Sequence, residues 1–112
     1  MSTFLRKSPV LTGPYALAVL ASIDANPTKR VECGIVRFGR DVRSPATGLH
    51  TNSRHEVALV LKGRVLIETE DARFEAGPGD CIVGSPGEPH ATTGLEDAEL
   101  FFVLIEPTRS VL

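Results

Sequence analysis

The chain consists of short apolar runs separated by turn residues, and none of the runs reaches helical length with a helical stripe. Glycine accepts a positive φ and proline fixes φ, so the segments between the runs are predicted to be tight turns. Strands at this spacing are typical of an all-β sandwich or barrel. Only residues 96–100 have the composition of a helical turn, and we expect no helix there. Six strands are predicted, at residues 16–23, 31–38, 55–61, 64–70, 81–84 and 99–105.

The size and composition predict one globular domain. The chain has 112 residues and a mass of 12.0 kDa, which is the size of one natural domain. Hydrophobic residues make up 42% and charged residues 23% of the sequence, enough apolar surface for a core. The aromatic share is 5%, so we expect a mainly aliphatic core.

Charge and hydropathy argue against several classes of partner. The net charge is -2 and the 12 basic residues are scattered, so no surface suited to nucleic acid or anionic lipid is predicted. The apolar runs, such as residues 100–105, are too short to cross a bilayer. Pro9, Gly13 and Pro14 interrupt the N-terminal apolar stretch, so no secretory signal is predicted and we expect a cytoplasmic protein. Cys33 and Cys81 are expected to be buried free thiols rather than a disulfide.

Three runs are apolar on both alternating faces: residues 16–23, 57–61 and 100–105. A half-exposed antiparallel strand would alternate apolar and polar residues. A second copy of the chain covering one sheet face would explain this pattern, so we predict a homodimer. The alternative is that the N-terminal residues fold back over the same face.

Two histidines and a glutamate have ligand chemistry and could meet. In an extended chain His50 and Asn52 share a face, and Glu56 joins them if the intervening turn keeps parity. His90 follows a predicted turn that could return it to the same interior. Two imidazoles and a carboxylate can hold a divalent metal and leave coordination positions open. The alternative is that these histidines are ordinary surface or hydrogen-bonded residues.

The spacing of these residues resembles the two motifs of the cupin family. The first motif is matched by His50, Glu56 and Gly63, and the second by Gly79, Gly87 and His90. The resemblance covers residues 35–106, after an N-terminal segment of residues 1–34, within a single domain of residues 1–112. It implies an antiparallel β-barrel of the jelly-roll type with a metal site at its mouth, and frequent homodimers.

Four positions depart from the family pattern. Ser44, Ser85 and Gly94 replace a glycine, a proline and an asparagine at turn positions, which leaves the expected fold unchanged. Asn52 replaces the second metal-binding histidine, and an amide oxygen is a weaker ligand than imidazole for iron, nickel or zinc. The matched metal ligands are therefore His50, Glu56 and His90, with Asn52 beside them.

The resemblance implies two functions from different classes. The first is a metal-dependent enzyme acting on a small organic molecule, of dioxygenase or isomerase type, with Fe, Mn, Ni or Zn as the metal. The second is a non-catalytic module that binds or senses a small molecule with a degenerate metal site, and Asn52 favours it. His55 is expected at the surface, Tyr15 in ordinary packing, and Arg37, Arg40 and Arg43 along a solvated edge.

Overall fold

The protein is built from antiparallel β-strands. A computed structural model describes residues 5–26 and 29–107, so residues 1–4, 27, 28 and 108–112 of the predicted domain lie outside the described residues. The described part contains strands and turns and no helix, which confirms the predicted all-β fold. Its strands are β1 (Tyr15–Asn26), β2 (Lys29–Phe38), β3 (Arg43–Ser44), β4 (His55–Lys62), β5 (Val65–Thr69), β6 (Arg73–Ala76), β7 (Cys81–Gly84), β8 (His90–Gly94) and β9 (Ala98–Ile105).

Two sheets face each other across the core. The larger has the order β1-β2-β9-β4-β7 and the smaller the order β3-β8-β5-β6. Neighbouring strands in both sheets are antiparallel. Chain neighbours such as β4 and β5 lie in different sheets, so the chain crosses repeatedly between the two layers.

Alternate residues of the central strands fill the space between the sheets. On β4, Ala58 and Val60 are 4% and 1% exposed, whereas Leu59 between them is 38% exposed. The inward face of the smaller sheet contributes Val65 and Ile67, at 0% and 3% exposure. Successive side chains of a strand point to opposite faces, so this alternation fixes which residues of β4 look into the protein.

Each of the six predicted strands is present, and three further strands were missed. β3, β6 and β8 are short and polar, and β8 reads His-Ala-Thr-Thr-Gly. Their strand conformation comes from pairing with β5 and with each other rather than from local apolar patterning. Cys33 and Cys81 are free thiols, but the expectation from their apolar surroundings that both are buried is wrong: Cys33 is partly exposed and Cys81 is exposed. The described residues include no helix long and apolar enough to span a membrane.

Gly63 makes the tight turn between β4 and β5. Its φ is +76°, and an added Cβ would collide with the carbonyl oxygen of Asp97 and stand 2.7 Å from the Cα of Ala98. Gly48 has a similar φ of +70° with nothing within 4 Å of an added Cβ. The two glycines therefore share the backbone conformation and differ in the space around it.

We expect Gly63→Ala to destabilise the protein more than Gly48→Ala does. Both variants place an alanine in the left-handed region, which costs about 1–2 kcal/mol. Only Gly63→Ala also forces Asp97 and Ala98 to move, which adds about 1–3 kcal/mol. Urea unfolding of the two variants measures the difference in the free energy of unfolding. Equal losses would show that the contact with Asp97 has no part in the requirement for glycine.

Candidate functional site

His50 and His90 are held side by side by their backbones. The amide of His50 donates to the carbonyl of His90, the amide of His90 donates to the carbonyl of His50, and both distances are 2.9 Å. The two rings meet edge to face with their centroids 5.8 Å apart. This reciprocal pair fixes the segment before β4 to the first residue of β8. His50 itself is exposed, and the His90 side chain is 22% exposed.

Glu56 enters the interior because of its register on β4. It shares the inward parity of Ala58 and Val60, and it pairs with Gly84 on β7. Gly84 has no side chain, so the space beside the Glu56 Cβ remains open. The Glu56 side chain is 29% exposed, and its Oε2 lies 3.8 Å from His90 Nε2. The structure therefore brings Glu56 and His90 together, as the parity of the sequence suggested.

A hydrogen bond defines the protonation pattern of neutral His90. Its Nδ1 lies 3.0 Å from the carbonyl oxygen of Glu88. A carbonyl oxygen only accepts, so Nδ1 carries the hydrogen and donates it. In the neutral imidazole this leaves the lone pair on Nε2, the atom that faces Glu56. His90 can therefore accept a proton, a hydrogen bond or a metal ion at that atom.

Asn52 joins the two halves of the site. Its side-chain Oδ1 accepts the amide hydrogen of Arg54 at 3.0 Å, forming a local turn of the Asx type. Its backbone carbonyl accepts the amide hydrogen of Gly87 at 2.8 Å. Asn52 thus fixes the loop before β4 and links it to the turn before His90.

The donor atoms fit a metal in part. Two ligand atoms about 2.0–2.2 Å from a metal, at angles of about 90–110°, stand roughly 2.8–3.6 Å apart. The separation of 3.8 Å between His90 Nε2 and Glu56 Oε2 is slightly wider than this. Within residues 5–26 and 29–107 no group of three or more His, Cys, Asp or Glu side chains is arranged to hold a metal ion. His90 and Glu56 therefore have side chains of the types that bind transition metals. His50 lies beside them but does not complete a set of three metal ligands.

A cavity of about 360 Å³ opens between the two sheets at this pair. We call it the central cavity. Apolar surface makes up most of its wall, and polar groups are contributed by nine residues from the strands of both sheets and from the loops at the mouth. The polar residues among its described lining are Tyr15, Ser44, His50, Asn52, Glu56, Thr69, Glu88, His90 and Thr92. A mostly apolar cavity with a few convergent polar groups is typical of a small-molecule site.

Tyr15 belongs to this site, although the sequence suggested ordinary packing. The residue lines the central cavity from β1, and its ring meets that of Phe38 edge-on at 5.3 Å. Burial raises the pKa of Tyr15 above its usual 10.0, the charge of Glu56 raises the pKa further, and a hydrogen bond with Ser44 opposes the rise. The feature that reveals this role is structural: Tyr15 stands opposite Phe38 in the hairpin of β1 and β2. Recognising it required the register of that hairpin, which the sequence alone did not provide.

The remaining polar residues considered from the sequence lie away from the central cavity. His55 is exposed, and it pairs with Ile105 at the start of β4. Arg43 lies 3.4 Å from Glu68, and Arg37 lies 3.4 Å from Asp97. The Arg37 side chain is 17% exposed and the Arg43 side chain 25%, so these two arginines are more enclosed than the solvated edge expected for them.

One departure from the family pattern has a direct steric reason. Gly94 on β8 stands where the pattern has asparagine. An added Cβ at this position would collide with the carbonyl oxygen of Gly39 and stand 3.1 Å from the Cβ of Phe38. The close approach of these backbones leaves no space for a side chain, so glycine is required here by packing.

Solved structures with similar folds include several proteins of the cupin group. A cupin superfamily protein from Desulfitobacterium hafniense has a TM-score of 0.73 and 16% identity, covering 88% of this chain and 84% of its own. A cupin-2 domain protein from Shewanella frigidimarina has a TM-score of 0.66 and 18% identity, covering 88% and 85%. KdgF from a Halomonas species has a TM-score of 0.57 and 24% identity, covering 80% and 89%. These likenesses show a shared fold.

The sequence itself matches the Cupin domain family. The match spans residues 41–106, which is more than half of the chain and includes His50, Glu56 and His90. No curated protein sequence matches the chain. Together with the two facing antiparallel sheets, the family match identifies the domain: this chain belongs to the cupin family.

Proposed function

We propose that this chain is a small-molecule-binding cupin whose ligand lies in the central cavity against Glu56 and His90, without a requirement for a metal. The observation that carries the proposal is the position of this pair at a mostly apolar cavity of about 360 Å³. Half-buried polar groups in such a cavity orient a ligand, and the apolar wall supplies most of its contact area.

The polar groups of the pair are suited to bind and orient a ligand directly. Glu56 accepts hydrogen bonds through its carboxylate, and neutral His90 accepts one at Nε2 because Nδ1 is committed to Glu88. Asn52 supports the loop beside them through its own hydrogen bond to Arg54. Its Oδ1 therefore already has a structural partner, which favours a ligand site that does not need Asn52 as a metal ligand.

A metal-dependent enzyme is the second candidate, and the orientation of His90 favours it. Metal-ligating histidines commonly donate their other ring N–H to a backbone carbonyl, and His90 does so to Glu88. In this candidate His50, Glu56 and His90 would hold a divalent transition metal, with Asn52 beside them. Such an ion supplies Lewis acidity or a dioxygen-binding centre for small-molecule chemistry of dioxygenase or isomerase type.

Metal analysis after identical purification without added metal or a histidine tag separates the two candidates. We expect the native protein to contain little transition metal and Asn52→His to acquire it by adding an imidazole to the existing pair. Replacing His90 by alanine in the Asn52→His background should remove that metal, because His90 supplies a ligand atom. The same replacement of the exposed His55 is the control and should retain it.

Near-stoichiometric metal in the native protein would contradict the first candidate. Loss of that metal in His90→Ala, and its retention in His55→Ala, would then support the metal-dependent enzyme. Elemental analysis gives the answer without knowledge of the substrate.

The protein is also proposed to form a homodimer through the outer face of the larger sheet. Large apolar side chains on that face are exposed: Ile23 is 59%, Leu59 is 38% and Val83 is 71% exposed. The register places Ile23 and Leu59 on the face opposite that of Ala58 and Val60, and Val83 on the edge strand β7 also borders the central cavity. Exposed apolar groups on several strands of one sheet are typical of an interaction surface, and a second copy of the chain would cover them.

Light scattering of the Leu59→Lys variant tests this interface. We expect the native protein to have twice the chain mass of 12.0 kDa and the variant to move towards the mass of one chain. Burying an unpaired ammonium opposes association, typically by several kcal/mol. Thr47→Lys introduces the same group at an exposed loop position and should leave the dimer intact. A native mass of one chain at micromolar concentrations would contradict the proposal.

Tyr15 provides an optical test of the charge in the central cavity. It is the sole tyrosine, so the ultraviolet absorbance of tyrosinate reports on this residue alone. We expect a pKa above 10.0, because burial and the Glu56 charge both disfavour tyrosinate. The folded pKa is raised, so the stabilising contribution is present below the unfolded pKa and is lost as pH rises through the folded value.

Replacing Glu56 by glutamine should lower the pKa of Tyr15, because it removes the negative charge that disfavours tyrosinate. The part of the increase that comes from burial of Tyr15 should remain. Glu99→Gln is a matched control, since Glu99 is similarly half-buried and pairs with Lys62 at 3.3 Å. Absorbance titration of the folded proteins measures both changes. A midpoint unaffected by Glu56→Gln would show that the carboxylate does not act on the side of the cavity formed by Tyr15.

A further inference from the structure

The wall of the central cavity combines aromatic rings with an absence of cationic side chains. Four of the protein's six aromatic residues line it, namely Tyr15, Phe38, Phe74 and Phe102. Among the described residues that form the wall there is no lysine or arginine. An anionic ligand in the metal-free cavity would therefore find no positively charged side chain unless a histidine accepted a proton.

Four arginines neighbour cavity residues in the sequence; Arg73, which precedes Phe74, lies 3.8 Å from Glu68, and the other three also have partners outside the cavity lining. Arg37 precedes Phe38, Arg43 precedes Ser44 and Arg54 follows Asn52 by two positions. Each of these guanidinium groups has a carboxylate partner outside the cavity lining: Arg37 lies 3.4 Å from Asp97, Arg43 lies 3.4 Å from Glu68 and Arg54 lies 3.6 Å from Glu32. The absence of a cation from the wall is therefore built into the strand register and the ion pairs.

Two carboxylates, Glu56 and Glu88, line the cavity. Glu88 is exposed at the edge, and its Oε1 accepts the amide hydrogen of Ser85 at 3.2 Å. Glu56 is more enclosed, with 29% of its side chain exposed. Tyr15 also lines the cavity, and its pKa is raised first by burial and second by the charge of Glu56.

We infer that the metal-free cavity selects a small organic ammonium ion over a neutral or anionic molecule of the same shape, with Glu56 as the counter-ion. The inference rests on the proposed metal-free function and adds the class of ligand to it. An ammonium gains attraction to a partly desolvated carboxylate and to the faces of nearby aromatic rings. A carboxylate of equal size meets the like charge of Glu56 instead.

Three matched probes test the preference: cyclohexylmethylamine, cyclohexylmethanol and cyclohexanecarboxylate. Binding is measured in protein treated with a chelator, at about pH 8. At this pH the amine is a positively charged ammonium ion and the acid is a negatively charged carboxylate. The emission of Tyr15 is the readout, since the chain has one tyrosine and no tryptophan, and calorimetry provides an independent affinity. We expect the amine to bind roughly tenfold or more tightly than the alcohol, and the acid to bind most weakly.

Glu56→Gln should remove most of this preference and bring the affinity for the amine close to that for the alcohol. Glu99→Gln is the matched control, because Glu99 has 24% of its side chain exposed and does not line the cavity. The control should retain the native order of affinities. Circular dichroism of both variants checks that the fold is intact. The order of affinity for the three probes is measured on the native protein and does not depend on either variant.

Three outcomes would overturn the inference. They are an acid that binds as tightly as the amine, a preference for the amine that survives Glu56→Gln, and an amine that shows no saturable binding at millimolar concentration. Metal in the native protein would contradict the proposed metal-free function separately. The order of the probes in chelated protein would still decide the charge preference, so the two failures are distinguishable.

Discussion

The register of β4 determines the chemistry of the central cavity. Pairing with β9 and β7 turns Ala58 and Val60 inward, and the same parity brings Glu56 to the interior. A slip of one residue would exchange every side chain between the two faces. His55 would then enter and Glu56 would leave. Because Ala58 and Val60 are almost completely buried, such a slip would also expose core side chains, so the apolar core enforces the position of the carboxylate.

A carboxylate at this position needs compensating contacts. Ionised groups are costly to desolvate unless water, a hydrogen-bond donor or an opposite charge remains within reach. Glu56 keeps 29% of its side chain exposed, so water can reach the carboxylate, and it stands across from Gly84, which contributes no side chain. The arrangement leaves the carboxylate accessible from the cavity, where a ligand can replace its hydration.

The sequence predicts the site residues that depend on local parity and motif spacing. Glu56 and His90 meet as expected, because their positions follow from alternation along β4 and from the turn before β8. The metal assignment for His50, Asn52, Glu56 and His90 stays a prediction. The role of Tyr15 could not be predicted, because it depends on long-range pairing of β1 with β2 and on the approach of Ser44 from the other sheet. The short strands β3 and β8 were missed for a similar reason: their pairing partners are distant in the sequence.

Asn52 has a structural role in the loop before β4. Its Oδ1 closes a turn with the amide of Arg54, and its backbone carbonyl binds the amide of Gly87. A hydrogen bond of this kind contributes about 0.5–1.5 kcal/mol and holds together the segments that carry His50 and His90. An imidazole at this position would add a stronger metal ligand. Its ring differs from the asparagine side chain in length and geometry, so it would have to accept the amide hydrogen of Arg54 in a different way. The asparagine therefore favours order in the loops around the pair, and a preformed pocket reduces the entropy lost when a ligand binds.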